Sequence, residues 1–294
     1  MGLNCGIVGL PNVGKSTLFN ALTHSTLAEV ANYPFCTIEP NVGKAIIRDS
    51  RLKTIASIAN SQKIVFNHIE CVDIAGLVSG ASSGEGLGNK FLGHIREVDA
   101  IIHVLRCFED QNVSHVSHSI DPVRDAETVE IELILADIES LQRRLLSMTK
   151  SVKSGKEPKS KLELVEKVLA VLEGGSPARS IAGDVDPVEL KQLQLLSSKP
   201  VMYVCNVEED NARSGNSLSE LVRKMTECKH DRFCCLSAKL EAEVLGLEEE
   251  ERLAFLSEAG LQESGLDTVV KAVFDLLNLI TFFTVGPKEA RAWS

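Results

Sequence analysis

A glycine-rich run near the N terminus has the composition and spacing of a phosphate-binding loop. Residues 9–16 read Gly-Leu-Pro-Asn-Val-Gly-Lys-Ser, after an apolar segment that predicts a strand and before a segment that predicts a helix. Backbone N–H groups of such a loop and of the helix N terminus surround phosphate groups. Lys15 is expected to reach the β- and γ-phosphates and to act in catalysis. The residues expected to bind the nucleotide here are Asn12, Val13, Gly14, Lys15, Ser16 and Thr17.

Three oxygen-bearing side chains predict a magnesium site. Ser16 follows the loop lysine, and Asp73 opens an Asp-Ile-Ala-Gly sequence directly after an apolar strand. Thr37 lies between a predicted helix and the next strand, the position of a nucleotide-responsive threonine. Ser16 and Thr37 are expected to ligate Mg²⁺ directly, and Asp73 through a water. The amide of Gly76 is expected to contact the γ-phosphate, and the glycine-rich segment 80–88 to order on nucleotide binding.

A short motif after a later apolar strand predicts the base site. Proteins specific for GTP carry Asn-Lys-x-Asp there, and its aspartate accepts hydrogen bonds from guanine. In this chain Val207 stands in place of the lysine, and Glu209 stands in place of the aspartate. Discrimination for guanine should therefore be weakened, so that adenine becomes a credible base. The residues expected at the base are Asn206, Val207, Glu209 and, from a Ser-Ala-Lys loop after the next strand, Ser237, Ala238 and Lys239.

The residues around the reacting water depart from those of Ras-like GTPases. Leu77 stands where those proteins have the glutamine that orients the attacking water, so slow intrinsic turnover is expected. His115, in the loop 110–119, either reaches the phosphates as a catalytic residue or remains a solvated loop histidine. Asn12 is a further candidate, because its side chain can help to bind a monovalent cation such as K⁺ near the phosphates.

Composition limits the class of protein. The chain has 294 residues, 44% of them apolar, which is enough for one sizeable α/β domain with an insertion or a small second domain. A net charge of −10 argues against non-specific nucleic-acid binding, and no DNA partner is expected. Eight cysteines without a CxxC pair indicate buried free thiols in a reducing compartment. No secretory signal or membrane span is visible, so a cytoplasmic monomer is expected.

Strands separated by helices predict a doubly wound, mostly parallel α/β sheet. Strands are expected over 5–9, 100–104, 200–206 and 232–237. A hairpin-like pair of strands is expected over 41–48 and 64–73. Helices are expected over 17–27 and 269–280, followed by a β-like segment from 281. The predicted division is 1–128 and 199–280 for the sheet domain, 129–198 for a helical insertion, and 281–294 for the start of a further domain.

The insertion is predicted to be a helical hairpin. Apolar residues recur at helical spacing after a helix start at Asp121-Pro122, and again between 162 and 172, on either side of a polar turn at 151–160. The tip, residues 143–167, holds eight lysines and arginines against three glutamates, a net charge of +5 on an acidic chain. It is either a solvated helix end or a contact surface for RNA or a ribosomal surface.

Taken together, these motifs resemble the Obg-like ATPases, also called the YchF family. The resemblance spans essentially the whole chain, and its motifs together are highly specific. It is carried by the runs 9–17, 32–41, 73–78 and 84–89 and by the closing residues 283–293. It implies a P-loop NTPase G domain interrupted by a helical hairpin, a preference for ATP over GTP, a hydrophobic residue in place of the catalytic glutamine, and a link to the ribosome.

The resemblance also implies a C-terminal TGS domain, a β-grasp-like module linked to RNA or ribosome contact, of which 281–294 would cover only the beginning. His115 occupies the place of a loop histidine proposed to assist hydrolysis in bacterial relatives. Two alternatives stay open. The chain is an Obg-type GTPase if Glu209 still reads guanine, and it is a nucleotide-gated scaffold if little turnover occurs.

Overall fold

The computed structural model describes residues 3–30, 41–74, 87–110, 119–229 and 231–294. The strands are β1 (Asn4–Val8), β2 (Val42–Ile47), β3 (Ile64–Val65), β4 (Asn67–Asp73), β5 (Ala100–Arg106), β6 (Val201–Asn206), β7 (Arg232–Leu236), β8 (Phe282–Val285) and β9 (Ala290–Trp293). The helices are α1 (Lys15–Val30), α2 (Ser50–Ile58), α3 (Leu87–Glu97), α4 (Pro122–Lys153), α5 (Lys159–Glu173), α6 (Pro187–Gln192), α7 (Ser217–Lys229), α8 (Ala238–Val244), α9 (Glu249–Glu258) and α10 (Gly265–Leu276). Short 3₁₀ helices cover Ala178–Ile181 and Glu209–Asn211.

The main sheet has six strands in the order β2-β4-β1-β5-β6-β7. All neighbours are parallel except β2 and β4, which are antiparallel. Every residue of β5 and β6 is buried, which explains their mostly apolar sequence. The expected α/β fold with a mostly parallel sheet is confirmed. Because the strands are parallel, the segments after β1, β5, β6 and β7 meet at one edge of the sheet.

The prediction of one strand over 64–73 was wrong. Two strands lie there: β3 pairs with β9 in a second sheet of order β3-β9-β8, and β4 pairs with β2 and β1. The strands β2 and β4 are antiparallel as expected, but α2 lies between them in sequence. Its residues Leu52 and Ala56 are buried against Ala290 and Ala292 of β9. The second sheet exists because this distant segment covers the apolar side of α2.

Helix α4 joins the sheet domain to the helical insertion. It begins at Asp121, whose carboxylate accepts a hydrogen bond from the Arg124 N–H at 3.0 Å. Its first half packs in the main core through Ala126, Val129, Leu133 and Ala136, and Ile134 and Leu141 pack in a second core with α5. The expected boundary at residue 129 therefore falls inside one continuous helix.

Buried polar contacts hold the return of the insertion to the sheet. The Asp137 carboxylate accepts hydrogen bonds from the backbone N–H groups of Leu196 and Ser197, at 2.9 and 2.8 Å, and from the Ser197 hydroxyl at 2.7 Å. Burial raises the pKa of Asp137, and these bonds offset part of that shift. The segment just before β6 is thereby fixed to α4.

The described cysteines are free thiols, as expected. Five of them are buried, Cys228 is exposed, and Cys235 is half-buried. Burial raises the pKa of Cys71 to about 12, which keeps that thiol protonated at neutral pH. Across the described parts of the chain, no helix combines the length and apolar character that a membrane span requires.

Candidate nucleotide site

The predicted phosphate loop connects β1 to α1, which begins at Lys15. Asn12 and Gly14 have positive φ angles of 65° and 91°, which turn the chain sharply before the helix. The backbone leaves no room for larger residues: a Cβ on Gly9 would lie 2.7 Å from the Val104 carbonyl oxygen, and one on Gly14 would overlap the Asn206 amide. The loop is held tightly against the ends of β5 and β6.

Asn206 connects three parts of the site. This side chain is 6% exposed. Its Nδ2 donates to the Val13 carbonyl at 3.0 Å, and its Oδ1 accepts from the Ala238 N–H at 2.9 Å. The amide therefore ties the phosphate loop to the Ser-Ala-Lys loop. Sequence reasoning expected Asn206 at the base, and the geometry gives it a positioning contact on both sides.

A cavity of about 910 Å³ lies at the carboxyl edge of the sheet. We call it the base cavity, and it is lined by Asn12, Gly14, Thr17, Phe108, Glu109, Asp110, Asn206, Val207, Glu208, Glu209, Asp210, Ser237, Ala238, Lys239, Ala242 and Glu243. All six residues expected at the base are in this lining, together with three expected at the phosphates. Of the other three loop residues, Val13 is buried in the core, and Lys15 and Ser16 lie outside the lining.

The phosphate-side residues meet at the ends of β1 and β4. Lys15 Nζ donates a hydrogen bond to Asp73 Oδ1, and both side chains are largely buried. Ser16 is exposed at the start of α1. Lys15, Ser16 and Asp73 thus belong to adjoining elements of the sheet edge. Four further residues singled out in the sequence, Thr37, Gly76, Leu77 and His115, lie outside the described residues.

The two glutamates after Val207 have different surroundings. The Glu208 carboxylate accepts hydrogen bonds from the Glu109 N–H and from the Asn211 and Asn216 side-chain amides, at 2.9 to 3.2 Å. Burial raises the pKa of Glu208, but these bonds outweigh burial and lower it overall. Glu209 instead accepts from Lys239 Nζ at 2.7 Å, across the base cavity, and this contact raises the pKa of Lys239. Both glutamates line the base cavity, where Glu208 braces the loops and Glu209 is held by Lys239.

Sequence reasoning missed the wall formed by the segment after β5. Phe108 lines the base cavity, and the Arg106 guanidinium lies 4.7 Å from the centre of its ring. Arg106 is 2% exposed and donates to the carbonyls of Phe108 and Asp110. A signal was available, because an aromatic residue directly after a buried parallel strand lies at the ligand-binding edge of the sheet.

Comparison with known proteins decides the family. A family model described as a 50S ribosome-binding GTPase matches residues 4–148. A ribosome-binding ATPase YchF of Haemophilus ducreyi is 50% identical over 296 residues, covering all of this chain and 81% of the relative. This chain belongs to the YchF family. The YchF of Bacillus subtilis is 49% identical, again over all of this chain and 81% of the relative.

A solved YchF structure has the same fold. The YchF GTPase of Schizosaccharomyces pombe superposes with a TM-score of 0.86 at 35% identity, over 99% of this chain and 80% of that one. The expected family is therefore confirmed, and with it the assignment of this YchF-family chain to the P-loop nucleoside triphosphate hydrolases. The relatives are named both ATPase and GTPase, so the names do not distinguish the nucleotide.

Proposed function

We propose that this chain hydrolyses ATP to ADP and phosphate, in preference to GTP, as a switch that works on the ribosome. The observation that carries the nucleotide preference is the base cavity, where Val207 and Glu209 replace the lysine and aspartate of GTP-specific proteins. The curated YchF relatives are named ribosome-binding ATPases, which supports ATP hydrolysis and a ribosome contact but not the order of preference.

The phosphate loop and the sheet edge supply the groups that hold the triphosphate. Loop N–H groups and the start of α1 would surround the phosphates, with Lys15 at the β- and γ-phosphates. Ser16 and Asp73 offer oxygen ligands of the kind that Mg²⁺ prefers, and Thr37 would complete the set. They fit the ion, since Ser16 is exposed and Asp73 ends β4. Mg²⁺ held by these residues would neutralise part of the charge of the phosphates.

Turnover is proposed to be slow. Leu77 has no group that orients a water, so the residue left for this task is His115 from the predicted loop 110–119, and the Gly76 amide would contact the γ-phosphate. Asn12, which lines the base cavity beside the phosphate loop, would contribute an oxygen to a bound K⁺. A comparison of hydrolysis in potassium and sodium salts reports on that cation.

The ribosome contact is proposed to involve the basic tip, residues 143–167, and the segment from 281 onward. The tip is a cationic end on a chain of net charge −10, a distribution suited to an RNA backbone. The predicted division has four units, 1–128, 129–198, 199–280 and 281–294. The proposed ribosome contact belongs to the second and fourth of them. Because it would act on ribosomes, we expect the protein in the cytoplasm. We also expect it to be a monomer.

Equilibrium binding of ATP and GTP analogues to the nucleotide-stripped chain with Mg²⁺ tests the proposal. Tighter binding of the ATP analogue supports it, and tighter binding of the GTP analogue refutes the preference and favours the Obg-type alternative. Hydrolysis measured with Lys15→Ala separates an enzyme from a nucleotide-gated scaffold. Turnover in the wild type that disappears in Lys15→Ala excludes the scaffold, and equal rates in both refute catalysis at this site.

A further inference from the structure

We propose that Lys239 is a specificity-determining residue, which keeps the Glu209 carboxylate from reading guanine. The inference deepens the proposed ATP preference and rests on it. Both residues line the base cavity, Glu209 from the 3₁₀ helix after β6 and Lys239 from the first turn of α8. Lys239 Nζ lies 2.7 Å from Glu209 Oε1 and 4.0 Å from Glu243 Oε1. One lysine thus contacts two of the acidic residues that line the cavity.

The loop that carries Glu209 is fixed on both sides. The Val207 N–H donates to the Leu236 carbonyl at 2.9 Å, and Glu208 receives three hydrogen bonds from neighbouring loops. Asn206 is bound to Val13 and Ala238. With this backbone held in place, only rotation of the Glu209 side chain decides where its carboxylate points. The structure shows it turned to Lys239.

Guanine needs groups that this cavity already uses. Its N1–H and 2-amino group require an acceptor such as a free carboxylate, and its O6 requires a donor. The Glu209 carboxylate is bound to Lys239, and the Ala238 N–H is donated to Asn206 Oδ1. Adenine has no N1–H, no 2-amino group and no O6, so it makes neither demand. The engaged groups therefore penalise guanine and leave adenine unaffected.

The expected change in affinity for guanine nucleotides follows from how exposed the Lys239–Glu209 ion pair is. The side chains of Lys239 and Glu209 are 74% and 39% exposed. Exposed ion pairs are weak, so releasing Glu209 should raise affinity for a guanine nucleotide by about fivefold at most. The remaining discrimination belongs to the loop geometry and to the longer glutamate side chain.

Substitution of Lys239 by methionine removes the charge and keeps an unbranched apolar stem. Dissociation constants for Mg²⁺-ADP and Mg²⁺-GDP are measured with the full chain by calorimetry. We expect Lys239→Met to raise the affinity for GDP relative to that for ADP about threefold to fivefold. A matched control is Lys271→Met in α10, which breaks an exposed lysine–glutamate pair with Glu263, outside the base cavity lining, and should leave both constants unchanged.

A second substitution shows whether Glu209 is responsible. In the double variant Lys239→Met with Glu209→Gln, the gain for GDP should disappear, because an amide offers one acceptor oxygen where a carboxylate offers two, and its NH₂ group faces a guanine N–H. An unchanged ratio of GDP to ADP affinity in Lys239→Met, or a gain that persists in the double variant, would overturn the inference. A wild-type chain that binds GDP more tightly than ADP refutes the ATP preference itself, which is a separate result.

Discussion

At the scale of single residues, the site depends on how closely the phosphate loop approaches β6. Gly14 is the point of closest approach, because its φ angle of 91° and the neighbouring Asn206 amide both exclude a side chain. Asn206 in turn uses both ends of its amide on backbone groups of the two loops. Gly14 and Asn206 thus fix the position of the phosphate loop relative to the base side of the site.

Replacement of Gly14 by alanine should reduce nucleotide affinity at least about tenfold and destabilise the fold by roughly 1–3 kcal/mol, because the new Cβ overlaps Asn206 and strains the backbone. Calorimetric titration with Mg²⁺-ADP and urea unfolding give the two quantities. Gly93→Ala in α3 is the matched control, since a Cβ added there would meet no described atom within 4 Å beyond the adjacent residues and the backbone of its own helix. It should bind normally and gain about 0.5–1 kcal/mol of stability. Normal nucleotide binding by Gly14→Ala would contradict this account of the loop.

At the scale of elements, the central strands β5 and β6 carry ligand-site residues at their ends and a buried histidine within. His103 of β5 is 3% exposed, and its ring centre lies 5.5 Å from that of Tyr203 on β6. Burial lowers the pKa of His103 to about 4, with smaller opposing effects from Glu130, which raises it, and Arg179, which lowers it. The folded chain therefore keeps this imidazole neutral where an unfolded chain would protonate it.

The buried His103 predicts a loss of stability in acid. Its folded pKa lies below the unfolded value, so its contribution is complete above about pH 6.5 and is lost as the pH falls toward 4. The loss should amount to about 3 kcal/mol. We expect His103→Phe to lack this pH-dependent loss. Between pH 7 and pH 4, the free energy of unfolding of the wild type should therefore fall by about 3 kcal/mol more than that of the variant. Urea unfolding at both values measures it, and a difference independent of pH would contradict the assignment.

At the scale of the whole molecule, one long helix connects two separate hydrophobic cores. Helix α4 contributes to the core of the sheet and to the core of the helical insertion. At its far end, Lys150 and Lys153 are exposed, as are Lys156, Lys159 and Lys161 beyond it. The insertion therefore presents a cationic end, whereas the base cavity has six acidic residues in its lining.

Reversal of charge at the tip tests its part in ribosome contact. The triple change Lys153→Glu, Lys156→Glu and Lys161→Glu should weaken co-sedimentation with ribosomes at low salt by about tenfold or more, because contacts to RNA phosphates are cationic and salt-dependent. Hydrolysis and melting temperature should stay unchanged, since these lysines are exposed. A control with the same change of net charge is Lys53→Glu, Lys191→Glu and Lys224→Glu. Equal loss in both triples would show a general charge effect and remove the tip from the proposal.

The sequence by itself determined the features that depend on neighbouring residues. The phosphate loop, the buried strands β5 and β6, and the start of α4 at Asp121 were all predicted, because turn geometry, apolar periodicity and helix capping act over a few residues. The positions of the base motif followed as well, since parallel strands place their carboxyl ends at one edge.

Only the tertiary structure decided features that join distant segments. The split of 64–73 between two sheets depends on β9, more than 200 residues away, which covers α2. Loops from different strands likewise meet at the Lys15–Asp73 pair, at the Lys239–Glu209 pair and at the cavity wall formed by Phe108. Local pattern carries no information about which distant side chains will be neighbours, because burial of apolar surface across the whole chain selects those contacts.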